Sequence, residues 1–408
     1  MQGNPEAITK SAKETILMPQ EQLHPIGFEN VRLCIAVPKE CSFQEKRVPL
    51  TPGSVGLLVN NGHRVLIEDE AGEDLGFNNL QYSEVGAEIV YSSEEIYEAA
   101  DIVIKVSPPT LAEVELMKPF QIILSALQLS VHPKNVLQAM MKKNVSAVAW
   151  ENIKDDTGIF PVVRSMGEIA GNSSILIAAE YLSKQKNGIG LLFGGISGVP
   201  PTNVVVLGAG TVGEFATRSA LGLGADVKIL DNNISRLRRL QNDLGVRLYT
   251  SIIEPKVLTS ILAEADVVIG ALRSPYGKTP CVVTEEMVRN MKTGSVIVDV
   301  SIDHGGCCET SDITSHDKPV FVKHGVTHYG VPNIASRVPL TASQALSNIF
   351  APILLDMGHN GGFENYLRVN KGFRNGMYVY QGTLTNKVLS KAFQLPSKDL
   401  DFILPPLF

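Results

Sequence analysis

The segment "VVVLGAGTVGEFATRSALGLGADVKILD" (204–231) constrains this chain more than any other. It reads as a buried strand, a glycine turn, a helix and a second strand that ends in an acid. Gly208, Gly210 and Gly213 supply G-x-G-x-x-G in the one context where that pattern carries meaning. The first glycine permits a tight turn, the second lets phosphates approach the backbone, and the third lets helix and strand pack closely. A pyrophosphate is expected on the helix N-terminus, beside Val212, where unpaired N–H groups favour an anion. Asp231 stands at the spacing of the acid that binds both ribose hydroxyls, and its charge repels a 2′-phosphate. NAD is therefore expected over NADP. The pattern specifies a dinucleotide and is silent about the reaction.

A second unit must supply the reacting partner. The chain's 408 residues exceed one ordinary core, which makes two α/β-sized domains the expectation. Ahead of the glycine turn, "LCIAVP" (33–38), "RVLIED" (64–69), "DIVIKV" (101–106), "QIILSAL" (121–127) and "VSAVAW" (145–150) read as strands alternating with helices. Thr51, Pro52 and Gly62 mark the start and end of the first helix. Near-continuous apolar strands at this spacing predict a parallel sheet covered on both faces. A long helix over about 166–185 leads to the second sheet, with strands at 203–207, 226–230, 266–271 and 295–300. Thr341 and Gln344 form a capping box, and the apolar face of the helix beyond it is expected to return to the first domain.

The fold class is thus α/β, with two Rossmann-like domains, parallel sheets, a cleft between them, and a first domain completed by C-terminal helices. We place a flexible extension at 1–30, a substrate and catalytic domain at 31–163 with 340–408, and a NAD-binding domain at 164–339. A net charge of −6 gives no basic surface for nucleic acid. Five cysteines without paired spacing fit a reducing cytoplasm. The uncharged span 187–213 is long enough to cross a membrane, but its eight glycines and Pro200-Pro201 exclude a lipid-facing helix. No membrane span is expected.

In parallel sheets, ligands bind beyond the carboxyl ends of the strands. The polar residues there are Arg47, Lys105 and Gln128 in the first sheet, and Asp303 and Asn333 in the second. An arginine and a lysine facing a crevice suit a small carboxylate. Asp303, near the nicotinamide, can orient or deprotonate a water. Bland readings stand beside these: Arg47 as a surface charge, Asp303 as a cap for its glycine turn, Trp150 and Met166 as wall or core. Lys105, ending an apolar strand, needs an anion. His304, Cys307, Cys308 and Glu309 match no zinc spacing, and no metal is expected.

The segments "VPKECSFQEKRVPLTPGSV", "ADIVIKV", "VVVLGAGTVG", "GADVKILDNN", "ADVVIGA" and "VIVDVSIDHGGCCE" resemble alanine dehydrogenase, whose fold is shared with the NAD-binding subunit of proton-translocating transhydrogenase. "GMYVYQGTLTNK" resembles the same enzyme's C-terminal segment. The resemblance covers about residue 31 to the C-terminal region. It implies reversible NAD-dependent deamination of L-alanine to pyruvate and ammonium, by a homo-oligomer, commonly a hexamer, with a dimer as the alternative. It also implies that Arg47 and Lys105 hold the substrate carboxylate and carbonyl. Asp303 works beside the nicotinamide, Asn333 touches substrate or cofactor, and Met166 lines the site. Where the family pattern has a catalytic histidine this chain has Gln128, which orients a carbonyl but cannot shuttle a proton. Lys105, Asp303 and bound water then handle protons. "NIASRVPLTAS" (333–343) leans toward the transhydrogenase subunit, whereas "WENIKDDTGIFPVV" (150–163) is of dehydrogenase type. "RSMGEIAG" replaces the loop by which the transhydrogenase subunit orients nicotinamide.

Overall fold

A computed structural model describes residues 29–42, 44–127, 134–273 and 278–407. Two sheets organise the chain. The first contains β1 (Cys34–Val37), β2 (Arg64–Glu68), β3 (Glu88–Val90), β4 (Ile102–Ile104), β5 (Ile122–Ser125) and β6 (Ser146–Ala149). The second contains β7 (Asn203–Leu207), β8 (Asp226–Leu230), β9 (Tyr249–Ser251), β10 (Val267–Gly270), β11 (Val296–Asp299), β12 (Val320–Lys323) and β13 (Val326–Tyr329). Two C-terminal strands, β14 (Met377–Tyr380) and β15 (Thr383–Leu384), return to the first sheet.

Both sheets use one layout. The first runs β15-β14-β6-β5-β4-β1-β2-β3, and the second β12-β13-β11-β10-β7-β8-β9. In each, a parallel body reverses direction beside its first strand, between β1 and β4 and between β7 and β10. Such a reversal opens a crevice at the carboxyl ends of the strands. Successive residues of the buried strands divide between two faces: Ile35, Ile102, Ile104 and Leu124 join one core, and Ala36, Val103 and Ile123 the other. Val204, Val206 and Ile269 part from Val205, Leu207 and Val268 in the same way. Period-two alternation with both faces apolar explains why the sequence runs read as continuous.

The connecting helix, Pro161–Leu182, begins with proline at a position where no N–H is needed and packs along the helix Thr211–Gly222. Gly171 permits this approach. A Cβ there would lie 2.5 Å from the Val212 carbonyl oxygen and 2.8 Å from the Phe215 Cβ. The returning helix, Pro339–His359, lays Leu346, Phe350 and Leu354 against the first sheet's core, and Phe350 stacks on Trp150 at 4.7 Å.

Several local expectations change. Thr51 holds the N-cap position but caps with no side-chain bond; its hydroxyl meets Ser347 of the returning helix at 3.1 Å. The capping box at Thr341 and Gln344 does not form, because Pro339 starts the helix earlier and leaves Thr341 inside it. The first sheet is completed by strands as well as helices, since β14 pairs antiparallel with β6. The long helix also starts before residue 166, at Pro161. The extension at 1–30 lies outside the described residues except for Glu29 and Asn30.

Gly171→Val should therefore lower stability by roughly 1–3 kcal/mol, the usual cost of overpacking. Gly53→Ala, where an added Cβ meets nothing within 4 Å, should be neutral or slightly stabilising. Thermal unfolding of the two variants checks this; equal midpoints would contradict the close approach.

Candidate active site

The glycine turn shows each glycine in a separate physical role. Gly208 has φ 112°, and a Cβ on it would sit 2.4 Å from the Ala271 carbonyl oxygen, so the tight turn beside β10 requires glycine. A Cβ on Gly213 would overlap the Gly208 carbonyl oxygen at 1.8 Å. Gly210 differs: a Cβ there would meet nothing within 4 Å, so this glycine borders open space at the N-cap of the helix Thr211–Gly222. No side chain caps that helix, and its first N–H groups, including that of Val212, face the space. These are the features that fit a dinucleotide pyrophosphate. Asp231, just after β8, is buried; its carboxylate accepts from the Ala209 N–H at 2.7 Å and the Asn233 N–H at 2.7 Å. These bonds fix the acid at the edge of the turn and leave lone pairs for ribose hydroxyls.

Four sequence-predicted residues meet at the mouths of the two crevices. Arg47, in the segment after β1, is buried. Its Nε and Nη2 donate to the two oxygens of Glu45 at 2.7 and 2.6 Å, and its Nη1 reaches the Met166 sulfur at 3.4 Å. Glu45 also accepts from the Asn333 side-chain amide at 2.9 Å. The Asn333 backbone N–H donates to Asp303 at 2.8 Å. Asn333 holds φ 54°, a left-handed conformation that asparagine tolerates, and this aims its backbone N–H and side chain at different partners. One chain of contacts thus runs from Met166 through Arg47, Glu45 and Asn333 to Asp303, joining the two sheets. At the next residue, Gly167, an added Cβ would lie 3.4 Å from the Thr211 side chain and 3.6 Å from that of Val212. Consecutive positions on the connecting helix therefore address the arginine and the glycine turn.

Electrostatics sharpen the picture. Burial pushes the Glu45 carboxyl up, but the Arg47 guanidinium outweighs it and holds the acid below its ordinary value. Asp303 opens to the cleft yet has protein crowded around it, and desolvation raises its carboxyl despite the Asn333 N–H and the nearby His304 and Arg47. Two of Arg47's guanidinium nitrogens are turned to Glu45 and one Nη1 hydrogen to Met166, which leaves one donor each on Nη1 and Nη2 for a further anion.

Lys105 is placed differently. Its ammonium is wholly buried, 2.6 Å from Glu113 and 3.6 Å from Glu40. Burial lowers its affinity for a proton, but Glu40 and Glu113 outweigh burial and keep it charged. The anion that a lysine at the end of an apolar strand requires is therefore protein carboxylate in this structure. Glu40 takes backbone N–H bonds from Val106 and, at 3.2 Å, from Ser107. Desolvation nonetheless lifts it from 4.5 to about 7, against the pull of Lys105. Glu40, Glu45 and Glu113 were not singled out in the sequence. A signal existed for Glu45, which stands only two residues from Arg47 in the sequence. None existed for the long-range pairing of Lys105. Gln128 lies outside the described residues.

Comparisons with known proteins agree with this layout. Residues 36–170 match the family model "Alanine dehydrogenase/PNT, N-terminal domain", and residues 174–387 match "Alanine dehydrogenase/PNT, C-terminal domain". "Alanine dehydrogenase 2" of Staphylococcus aureus (strain USA300) is 39% identical over 368 residues, covering 90% of this chain and 98% of that protein. A solved L-alanine dehydrogenase superposes with a TM-score of 0.83 at 38% identity, covering 88% of this chain and 99% of the other. A transhydrogenase from Sinorhizobium meliloti shares the fold, with a TM-score of 0.74 at 23% identity over 87% of this chain and 99% of the other.

The buried Glu40 has a consequence for stability. Its folded value, about 7, lies above the ordinary 4.5, so between those limits the folded chain keeps a proton that the unfolded chain has released. The stabilisation is complete below 4.5 and is lost as pH rises through about 7. Glu40→Gln should flatten the pH dependence of the urea midpoint across this window; an unchanged slope would show that Glu40 does not titrate there.

Proposed function

This chain belongs to the alanine dehydrogenase/PNT family, and from that premise we propose that it catalyses the NAD-dependent oxidative deamination of L-alanine and its reverse. L-Alanine, NAD⁺ and water yield pyruvate, ammonium, NADH and a proton. The observation that carries the reading is the buried Arg47, bound on one edge by Glu45 and offering its remaining donors beside Met166. A guanidinium held this way captures a small carboxylate and leaves little room for a large substrate. NAD, when bound at the glycine turn, accepts the hydride that leaves the substrate Cα.

The chain's own residues divide the remaining work. Gly208, Gly210, Val212 and Gly213 cradle the pyrophosphate, and Asp231 takes the ribose hydroxyls. Arg47 and Lys105 hold the substrate carboxylate and carbonyl; Lys105 does so by exchanging part of its contact with Glu40 and Glu113. Asn333 fixes Glu45 and positions Asp303. Asp303 takes a proton from the water that attacks the imine carbon, and its raised carboxyl suits the return of that proton in the reverse direction. Met166 forms the apolar wall. Gln128, which cannot titrate, donates a hydrogen bond to the carbonyl.

We divide the chain into a substrate domain (31–163 with 340–408) and a nucleotide domain (164–339), a reading that the presence of two separate sheets supports. Among the described residues no helix is long and apolar enough to cross a membrane. We read the protein as a cytoplasmic homo-oligomer, a hexamer or a dimer. The transhydrogenase reading is second. The relative sharing more than a third of this chain's residues over nearly its full length is an alanine dehydrogenase, and this favours the first.

Pure protein should consume NADH when pyruvate and ammonium are supplied together. Hydride exchange only after a membrane partner is added would support the transhydrogenase reading and overturn ours. NAD should be used much better than NADP, and Asp231→Ala should narrow the difference; equal use of both by the unmodified protein would contradict the role of Asp231. Arg47→Ala should lower kcat/KM for pyruvate by roughly 30- to 1,000-fold, the cost of losing one partner of a buried charged hydrogen bond. NADH affinity should stay nearly intact. Asp303→Asn should cost about a hundred- to ten-thousand-fold in kcat.

A further inference from the structure

We propose that Asp299, Cys307 and Cys308 form a binding site for one thiophilic divalent cation of the Zn²⁺ or Cd²⁺ kind. One carboxylate oxygen and the two sulfurs lie within 4.8 Å of one another, and all three residues are buried. The Cys307 and Cys308 sulfurs are 3.9 Å apart, and the Cys307 sulfur is 3.5 Å from Asp299 Oδ1. A tetrahedral ion with metal–sulfur bonds of about 2.3 Å and a metal–oxygen bond of about 2.0 Å requires edges of roughly 3.8 and 3.5 Å. Two of the three edges already stand at those separations, and the third, from the Cys308 sulfur to the carboxylate, is within 4.8 Å.

Neighbouring residues ordinarily send their side chains to opposite sides in extended chain. Here the backbone is turned so that both sulfurs converge. Gly305 and Gly306 precede the pair with φ 99° and 76°, a left-handed run open to glycine. The Cys307 carbonyl then accepts N–H bonds from Val282 at 2.9 Å and Val283 at 3.1 Å, and Cys308 bridges Val283. These contacts pin the pair from outside.

The carboxylate is equally well oriented. Asp299 Oδ2 accepts from the Cys307 N–H at 2.8 Å and the Ser311 hydroxyl at 2.7 Å, while Oδ1 accepts from the Ser301 N–H at 3.0 Å. Outer contacts of this kind aim a ligand and raise its basicity. The remaining lone pair of Oδ1 faces the Cys307 thiol, whose proton occupies the place a cation would take. On the opposite side is Gly270, where a Cβ would lie 2.6 Å from both Asp299 Oδ1 and the Cys307 sulfur. The space is therefore kept by glycine. Binding displaces two thiol protons to solvent and sets two thiolates and one carboxylate around the ion. Three protein ligands leave the fourth position of a tetrahedral ion to water.

The sequence grouping of His304, Cys307, Cys308 and Glu309 missed this site, because the third ligand comes from the end of β11. Glu309 is engaged elsewhere, accepting the Glu285 N–H at 2.7 Å. Asp299 also begins the turn Val300–His304 that carries Asp303, through its bond to Ser301.

Anaerobic titration of the reduced full-length protein with Co²⁺ tests the assignment. One equivalent should give a sulfur-to-cobalt charge-transfer band and the intense visible bands of tetrahedral cobalt, and Zn²⁺ or Cd²⁺ should displace them. Cys307→Ser with Cys308→Ser should lose the bands while retaining its circular dichroism, and each single serine variant should weaken them. Cys281→Ser should keep them; their loss in that variant would put the site on the exposed thiol and overturn the assignment. Absence of a charge-transfer band in the unmodified protein, or its persistence in the double variant, would also overturn it and leave the two thiols as packed apolar groups.

Discussion

One carboxylate ties this molecule together. Glu45 accepts both arms of Arg47 from its own segment and the side-chain amide of Asn333 from the far side of the cleft. Its neighbour Gln44 adds bonds to Asp317 at 2.9 Å and to the His316 N–H at 2.9 Å. The segment after β1 therefore reaches the second unit through a set of polar contacts. Such contacts suit a cleft that must admit and release a substrate, because hydrogen bonds of this kind contribute about 1 kcal/mol each and exchange readily with water. The connecting helix itself is anchored elsewhere, by close packing on the helix that follows the glycine turn.

The site also concentrates buried charge. Lys105 and its two carboxylates form a closed set, with Tyr97 donating to Glu113 at 3.1 Å. A desolvated set of this kind costs folding free energy unless every member is paired. Its value is positional, since it holds a charged ammonium at the end of β4, directly beside the strand that leads to Arg47. The raised Glu40, lifted to about 7 by burial, adds a group that titrates near neutrality.

Much of the architecture was legible because its strands are short apolar runs buried on both faces. "VVVL" and "IVI" have no other stable use in a soluble domain. The strands that escaped notice, such as β3, β12 and β14, are edge or near-edge elements where tertiary pairing decides the outcome. In "GMYVYQG" the β-forming run was present, bounded by glycines, yet its partner β6 is more than two hundred residues away. Arg47, Asp303 and Asn333 were singled out because strand ends fix where side chains emerge, and Met166 only through the family resemblance; the structure brings these four residues into one chain of contacts. Glu40 and Glu113 were not singled out, since their pairing with Lys105 is long-range and a carboxylate announces such a partner only once the chain has folded. Asp299 was hidden for the opposite reason: within "VIVDV" it reads as a strand residue, and only the glycine turn after it brings the cysteines back.

The central claim is that substrate capture depends on a carboxylate shared across the cleft, so that Glu45 and Asn333 act as a unit. A double-mutant cycle on kcat/KM for pyruvate measures this directly, with Glu45→Gln and Asn333→Gly, the glycine preserving the left-handed backbone at 333. The account predicts a coupling of about 1 kcal/mol or more between the two sites, as expected for residues in one hydrogen-bonded network. Strictly additive losses, with no coupling between them, would contradict it.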